Sequence, residues 1–341
     1  MKLEPADKLF YKLKNNKVPL VVQWELTTRC NLDCMHCCIK NEKQDSELSF
    51  GEIKDILRQL KAENCMIQRF SGGEVFLRKD IFKIIELARK MQFGVMVLSN
   101  GTLLDRSDIK NLKKIGILDL QVSLYGATAS MHDSITNVKG SFDKTMNTIG
   151  LCRKYKVPFH VAVMSFNKNF HELSQIKRIA RKEKWKTIFD FVILPAVSSS
   201  KDPLSLRATD EQIKLAVRSG LLVWSRRNRL RSKKITRPEQ FSGNDVRIEI
   251  GASGKVFPSV IMRKEAGDLR RESFSQIWRH SRTFRYLRSL DEKSFECFSC
   301  EYYNKCCKNR DLAYLEHGDV TVKPQEICRI NRIFHENVGK R

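Results

Sequence analysis

The stretch Val21-Val-Gln-Trp-Glu-Leu-Thr-Thr-Arg-Cys30-Asn-Leu-Asp-Cys34-Met-His-Cys37 joins a short apolar, β-branched run to three closely spaced cysteines. The run, Val21 to Leu26, reads as a strand, so the cysteines fall in the loop at its end. Three thiolates spaced Cys30-x3-Cys34-x2-Cys37 can hold three irons of a 4Fe–4S cube and leave the fourth iron without a protein ligand. A zinc knuckle is the other reading of such a cluster. Zinc usually takes paired Cys-x2-Cys units and closes with four ligands, whereas the next thiols here are Cys38, adjacent to a ligand, and the distant Cys65.

Outward from this loop the chain alternates between two periods. Ser49-x-x-Glu52 forms a capping box before Ile53, Ile56, Leu57 and Leu60, which share one helical face. A strand is expected at Met66–Phe70, then a helix capped by Asp80 with Ile81, Ile84, Ile85 and Ala88 in register, then a strand at Val95–Leu98. Helices at Arg106–Ile115, Phe142–Tyr155 and His171–Lys184 alternate with strands at Leu118–Leu124, Phe159–Met164 and Ile188–Leu194. Such alternation predicts a parallel sheet with right-handed crossovers. It does not separate an open sheet from a barrel.

Four loop motifs accompany these strands in order: the cysteine loop, Ser71-Gly-Gly-Glu74, Ser99-Asn-Gly-Thr102 and Ser123-Leu-Tyr-Gly126. Together they resemble the radical S-adenosylmethionine (radical SAM) enzymes. The resemblance implies a partial (β/α)6 TIM-type barrel whose open iron chelates S-adenosyl-L-methionine through its methionyl amine and carboxylate. It assigns Cys30, Cys34 and Cys37 as iron ligands and His36 to the adenine. Gly72, Gly73 and Glu74 would meet the methionyl amine, and Asn100 and Ser123 would supply further polar contacts. The chemistry implied is reductive cleavage to a 5′-deoxyadenosyl radical that abstracts a substrate hydrogen inside the barrel, with flavodoxin or ferredoxin as the electron donor. For Ser123 an ordinary strand-end hydroxyl is the plainer alternative.

Near the C-terminus, Cys297-x2-Cys300-x5-Cys306 is followed by Cys328. Four thiols can close a cube completely. The spacing resembles the SPASM extension of radical enzymes that mature peptides and proteins, as do Val246–Val256, read as its hairpin, and Gly267–Trp278. A complete SPASM domain carries two auxiliary clusters. Where two further ligands would stand, this chain has Ser259 and Arg310, so one auxiliary cluster is expected, giving two 4Fe–4S clusters in all. A zinc site in the same four thiols is the alternative, and Cys307 beside Cys306 leaves the register open. The expected division is a barrel over 1–195, a linker over 196–245, and a small α+β iron–sulfur domain over 246–341.

Composition bounds the rest. The 341 residues include 63 Lys and Arg against 39 Asp and Glu, a formal charge of +24. Much of the excess lies in one run, with Arg226, Arg227, Arg229, Arg231, Lys233, Lys234 and Arg237 inside twelve residues. That run reads equally as a dock for an acidic partner and as a solvated face. Without interleaved aromatics it gives little support to nucleic-acid binding. No apolar run is long enough to cross a membrane and no signal peptide opens the chain, so a cytoplasmic enzyme is expected. Its eleven cysteines would then be ligands or free thiols. Among these, Cys65 and Cys152 read as core residues, and Cys38 and Cys307 as thiols beside ligands, able in principle to donate a hydrogen atom.

The stretch from Val122 through His132-Asp133 to Gly140-Ser-Phe142 is similar to segments of enzymes that modify ribosomally made peptides. A precursor peptide is therefore the favoured substrate, through crosslinking or epimerisation. A small molecule or a protein such as a sulfatase is the alternative, and a non-catalytic electron carrier the least supported. Only about twenty residues precede the first strand, so leader recognition would fall to a separate leader-peptide-binding protein or to the basic run. No residue is assigned to acid–base or hydrogen-donor catalysis.

Overall fold

The computed structural model describes residues 16–38, 46–196, 203–223, 247–303, 305–306 and 308–338. The basic run and Cys307 lie outside these residues. Strands β1 (Val21–Glu25), β2 (Ile67–Ser71), β3 (Gly94–Ser99), β4 (Asp119–Ser123), β5 (Phe159–Met164) and β6 (Thr187–Asp190) pair in chain order, all parallel. The crossovers contain helices α1 (Phe50–Ala62), α2 (Ile81–Lys90), α3 (Arg106–Ile115), α4 (Ala129–Thr136), α5 (Ser141–Tyr155) and α6 (Phe170–Lys182). This is the parallel sheet that the alternation predicts and the partial (β/α)6 barrel that the resemblance implies.

Local sequence explains most of these elements. Ser49 and Glu52 exchange capping bonds at the start of α1, and Asp105 and Asp108 do the same for α3. Helix α2 buries Ile81, Ile84, Ile85 and Ala88 against the sheet. Asp80 is a correction: its side chain makes no cap bond. Its carboxylate instead receives the guanidinium of buried Arg78, at 2.8 and 2.9 Å, and Arg78 also donates to the carbonyls of Leu26 and Leu48. A charge pair thereby ties the start of α2 to the loop that follows β1. Helix α4 is capped by Thr128, whose side chain accepts from Met131 N–H.

After β6 come α7 (Asp210–Arg218), then β7 (Arg247–Ile250), β8 (Lys255–Phe257) and β9 (Gly267–Asp268), followed by α8 (Phe274–His280), α9 (Arg282–Ser289), α10 (Arg310–His317) and α11 (Gln325–Asn337). The hairpin near Val246–Val256 exists, but it is joined to the barrel sheet. Strand β7 pairs parallel with β1, Val21 opposite Arg247 and Trp24 opposite Ile250, so one nine-stranded sheet runs β6-β5-β4-β3-β2-β1-β7-β8-β9. A shared core follows: Trp24 and Phe70 of the barrel, and Trp278 and Phe284 of the C-terminal region, are all almost fully buried in one apolar cluster. Cys65 and Cys152 belong to that cluster as expected.

Candidate cofactor and cluster sites

The cysteine loop leaves β1 at its carboxyl end and is held by backbone bonds on two sides. Gly73 N–H donates to Thr27 O at 2.9 Å and Glu74 N–H to Arg29 O at 2.8 Å. On the other side Asp33 and Met35 donate to Thr136 and Ile135 at the end of α4. Asp133 in turn caps α5, accepting from Gly140 N–H, Phe142 N–H and Ser141 Oγ. The His132–Phe142 stretch, read from sequence as a mark of substrate class, thus also helps to hold the cysteine loop in place.

Gly72 and Gly73 lie against that loop. A Cβ on Gly72 would stand 2.2 Å from Thr27 O, one on Gly73 2.2 Å from Arg29 O, and Gly72 has φ +144°. Close backbone approach is what excludes a side chain here. Glu74 departs further from expectation: it is fully buried and does not line the cavity. Its carboxylate accepts from Phe76 N–H, Ser99 Oγ and Asn100 N–H, and burial pushes its pKa up to about 7. Asn100 lines the cavity, yet its side chain reaches the cluster loop, donating to Asn31 Oδ1 at 3.0 Å.

A cavity of about 300 Å³ opens at the carboxyl ends of the strands, the face where such folds build their sites. Cys30, Cys34, Cys37, His36, Gly72, Gly73, Asn100 and Ser123 all line it. The His36 ring packs on Tyr125 and Phe166, with centroids 4.7 and 4.9 Å away. Sequence reasoning passed over three residues of this region. Tyr125 forms part of the wall, its hydroxyl bonded to Ser123. Glu25, from the end of β1, also lines the cavity and receives Arg263 Nη2 at 3.0 and 2.8 Å on its two oxygens. The motif around Ser123 pointed at Tyr125; nothing local pointed at Arg263, 238 residues beyond its partner.

Cys297, Cys300, Cys306 and Cys328 line a second, smaller cavity with Tyr302, Tyr303, Lys308, Lys323 and Asn331. Cys328 projects from α11, and Cys297 from a single 3-10 turn, Glu296–Ser299. Burial and the neighbouring Cys297 and Cys300 push the Cys328 thiol up to about 11. Crowded thiols of this kind are relieved by metal, which binds them as thiolates. At the positions where further ligands were weighed, Ser259 Oγ accepts from Met262 N–H and Arg310 is buried with a bond to Leu287 O.

Among the described residues no three His, Cys, Asp or Glu side chains converge as a grip for one metal ion. The thiols stand around two cavities instead. Cys30, Cys34 and Cys37 of the barrel loop line the first, and Cys297, Cys300, Cys306 and Cys328 line the second.

The chain is similar to known proteins over most of its length. An AdoMet-dependent heme synthase of Methanosarcina barkeri is 26% identical, covering 88% of this chain and 94% of its own. Mycofactocin maturase MftC of Mycolicibacterium smegmatis is also 26% identical, covering 89% and 81%. The solved structure of anSMEcpe with bound AdoMet and Cp18Cys peptide shares the fold, with a TM-score of 0.70 at 16% identity over 94% of this chain and 96% of that one. Members of this superfamily bind a 4Fe–4S cluster and S-adenosylmethionine. The Radical SAM superfamily model matches residues 24–180, from within β1 to within α6, and over those residues the chain carries a radical SAM domain.

Proposed function

We propose that this chain is a radical SAM enzyme that modifies a precursor peptide by hydrogen abstraction, forming a crosslink or epimerising a residue. The observation that carries the radical chemistry is the shared cavity: Cys30, Cys34 and Cys37 line it together with His36, Asn100 and Ser123. When bound, the cluster and S-adenosylmethionine supply one-electron chemistry able to take a hydrogen atom from carbon. The chain's own residues hold, orient and shield. The three thiols would ligate iron, His36 would face the adenine on its aromatic shelf, and Gly72 and Gly73 would present backbone to the methionyl group. Tyr125 and Ile193, backed by Phe166, form an apolar wall that would exclude water from a reactive site.

The peptide reading is supported by the relation to mycofactocin maturase, which covers 89% of this chain. The peptide held in the anSMEcpe structure gives further support. Cys297, Cys300, Cys306 and Cys328 would carry one auxiliary cluster in a region 246–341 serving the barrel of 1–195, with flavodoxin or ferredoxin delivering electrons. A second reading, an iron porphyrin as substrate, is favoured by the equal identity to the heme synthase.

The test is anaerobic reconstitution followed by incubation with reductant, S-adenosylmethionine and short peptides encoded beside the gene. Peptide-dependent loss of two hydrogens, or uptake of solvent deuterium at one α-carbon, supports the proposal. Turnover with iron coproporphyrin and none with peptide would establish the second reading. Replacing Cys30, Cys34 and Cys37 by alanine should leave about four of about eight irons and end cofactor cleavage.

A further inference from the structure

The C-terminal cavity holds more than thiols. Asn331 lies on α11, one turn after Cys328, and is 2% exposed. Among the described residues its side-chain oxygen has no hydrogen-bond partner, and Asn331 lines the cavity with the four cysteines. Leaving a buried amide atom unpaired is costly, so its position beside this cavity points to a group from outside the chain. Lys308 also lines the cavity, its ammonium 3.3 Å above the centre of the Tyr303 ring, and Lys323 stands on the exposed rim. Both ammonium groups act on Cys297, and Lys323 also on Cys328.

We propose that Asn331 and Lys308 contact the sulfurs of a 4Fe–4S cluster held by Cys297, Cys300, Cys306 and Cys328 and raise its reduction potential, with Lys323 adding charge at the rim. The inference rests on the auxiliary-cluster reading of this cavity. An amide's oxygen and NH2 exchange places by a half-turn of the side chain, so Asn331 can present N–H to sulfur. Four thiolates on a cube already carry net negative charge, and one-electron reduction adds another. Hydrogen bonds to sulfur and nearby positive charge therefore stabilise the reduced cluster more than the oxidised one. Asn331 and Lys308 are positioning residues toward the cluster, touching neither S-adenosylmethionine nor substrate.

The experiment uses the full chain, reconstituted anaerobically, in a Cys30/Cys34/Cys37→Ala background so that only the C-terminal site is read. Asn331→Leu and Lys308→Met are compared with their parent by iron content and by a dithionite titration followed by electron paramagnetic resonance. Each variant is expected to keep about four irons and to reduce less readily, with a tenfold change in the equilibrium, or about 59 mV for one electron. Lys308→Met, near the surface, keeps the test open where the buried substitution disturbs folding. Unchanged potentials in both variants at parental iron content would overturn the role of these side chains. Zinc in place of iron in the parent would overturn the cluster reading beneath it.

Discussion

Glu74 and Asn100 are joined by a 2.7 Å hydrogen bond from the Asn100 backbone N–H to the Glu74 carboxylate, across the turns that follow β2 and β3. Through this bond a fully buried acid couples the Gly72-Gly73 turn to the Asn100 turn. Asn100 then passes the constraint to Asn31 in the cysteine loop. Three of the four loop motifs are thereby locked into one network. Glu74 is placed to hold together the loops around the cavity without lining it.

That burial makes stability depend on pH. Unfolded, the Glu74 carboxyl titrates near its ordinary 4.5; folded, burial raises it to about 7. The native state therefore holds more protons between those values, and stability falls as pH rises through the window, by about 3 kcal/mol at most. Urea unfolding of the apoprotein at pH 5 and pH 8 measures the slope. Glu74→Gln should flatten it, and an unaltered slope in the variant would remove Glu74 as its source.

Gly73→Ala tests the contact between turn and loop. The new methyl would stand 2.2 Å from Arg29 O and 2.6 Å from its carbon, backbone atoms with no rotamer to yield. The cysteine loop must shift, at a cost of about 1–3 kcal/mol, and iron in the first site should drop with it. Gly140→Ala is the control: it has positive φ but nothing within 4 Å of the added carbon, so it should cost about 1 kcal/mol and leave iron unchanged. Equal iron in both variants would show that the approach of Gly73 to Arg29 is not needed for cluster binding.

The contrast between these glycines and Arg263 shows what a sequence can disclose here. Ser49–Glu52, the strand periods and the cysteine spacing are local, and each demands particular residues at short separations. The Ser71-Gly72-Gly73-Glu74 turn was visible for the same reason, but not the target of its glycines, since backbone contact with Thr27–Arg29 needs the folded sheet. The burial of Glu74 is not legible locally, because besides Phe76 its partners Ser99 and Asn100 sit 25 and 26 residues away. Asp80 has the right residue type for a cap, yet Arg78 outcompetes the helix N–H groups for its carboxylate. The β1–β7 pairing left no trace in either strand, because hydrophobic alternation reports burial and not the identity of a neighbour.

His132 carries the opposite pH dependence to Glu74. Its Nδ1 accepts from Tyr125 N–H at 3.1 Å, and burial lowers its pKa from 6.5 to about 4. Protonation would set two N–H groups against each other in the core. The stability it contributes is present above pH 6.5 and lost as pH falls toward 4, about 3 kcal/mol in all. His132→Asn keeps an acceptor for Tyr125 without a titrating group, so acid unfolding of the variant should begin at lower pH. Identical acid midpoints would assign the acid response to other groups.

The Glu25–Arg263 pair joins the end of β1, at the cofactor cavity, to the segment after β8. Both side chains are largely buried, 4% and 10% exposed, and the guanidinium also lies 4.9 Å over the Phe257 ring. Burial makes such a pair costly to break and cheap to replace: removing one partner strands a charge, at about 3–5 kcal/mol, while removing both is often neutral. Arg263→Met alone should therefore destabilise strongly and, by unsupporting a carboxylate on the cavity wall, weaken S-adenosylmethionine binding. Glu25→Gln combined with Arg263→Met should recover most of the stability. A double-mutant cycle by urea unfolding gives the coupling directly, and binding of S-adenosylmethionine by the same variants shows whether the carboxylate or the fold is what the cavity needs. Additive losses in the cycle would mean that the two residues stabilise the protein independently, and the C-terminal segment would then be held to the barrel by the β1–β7 pairing and the shared apolar core.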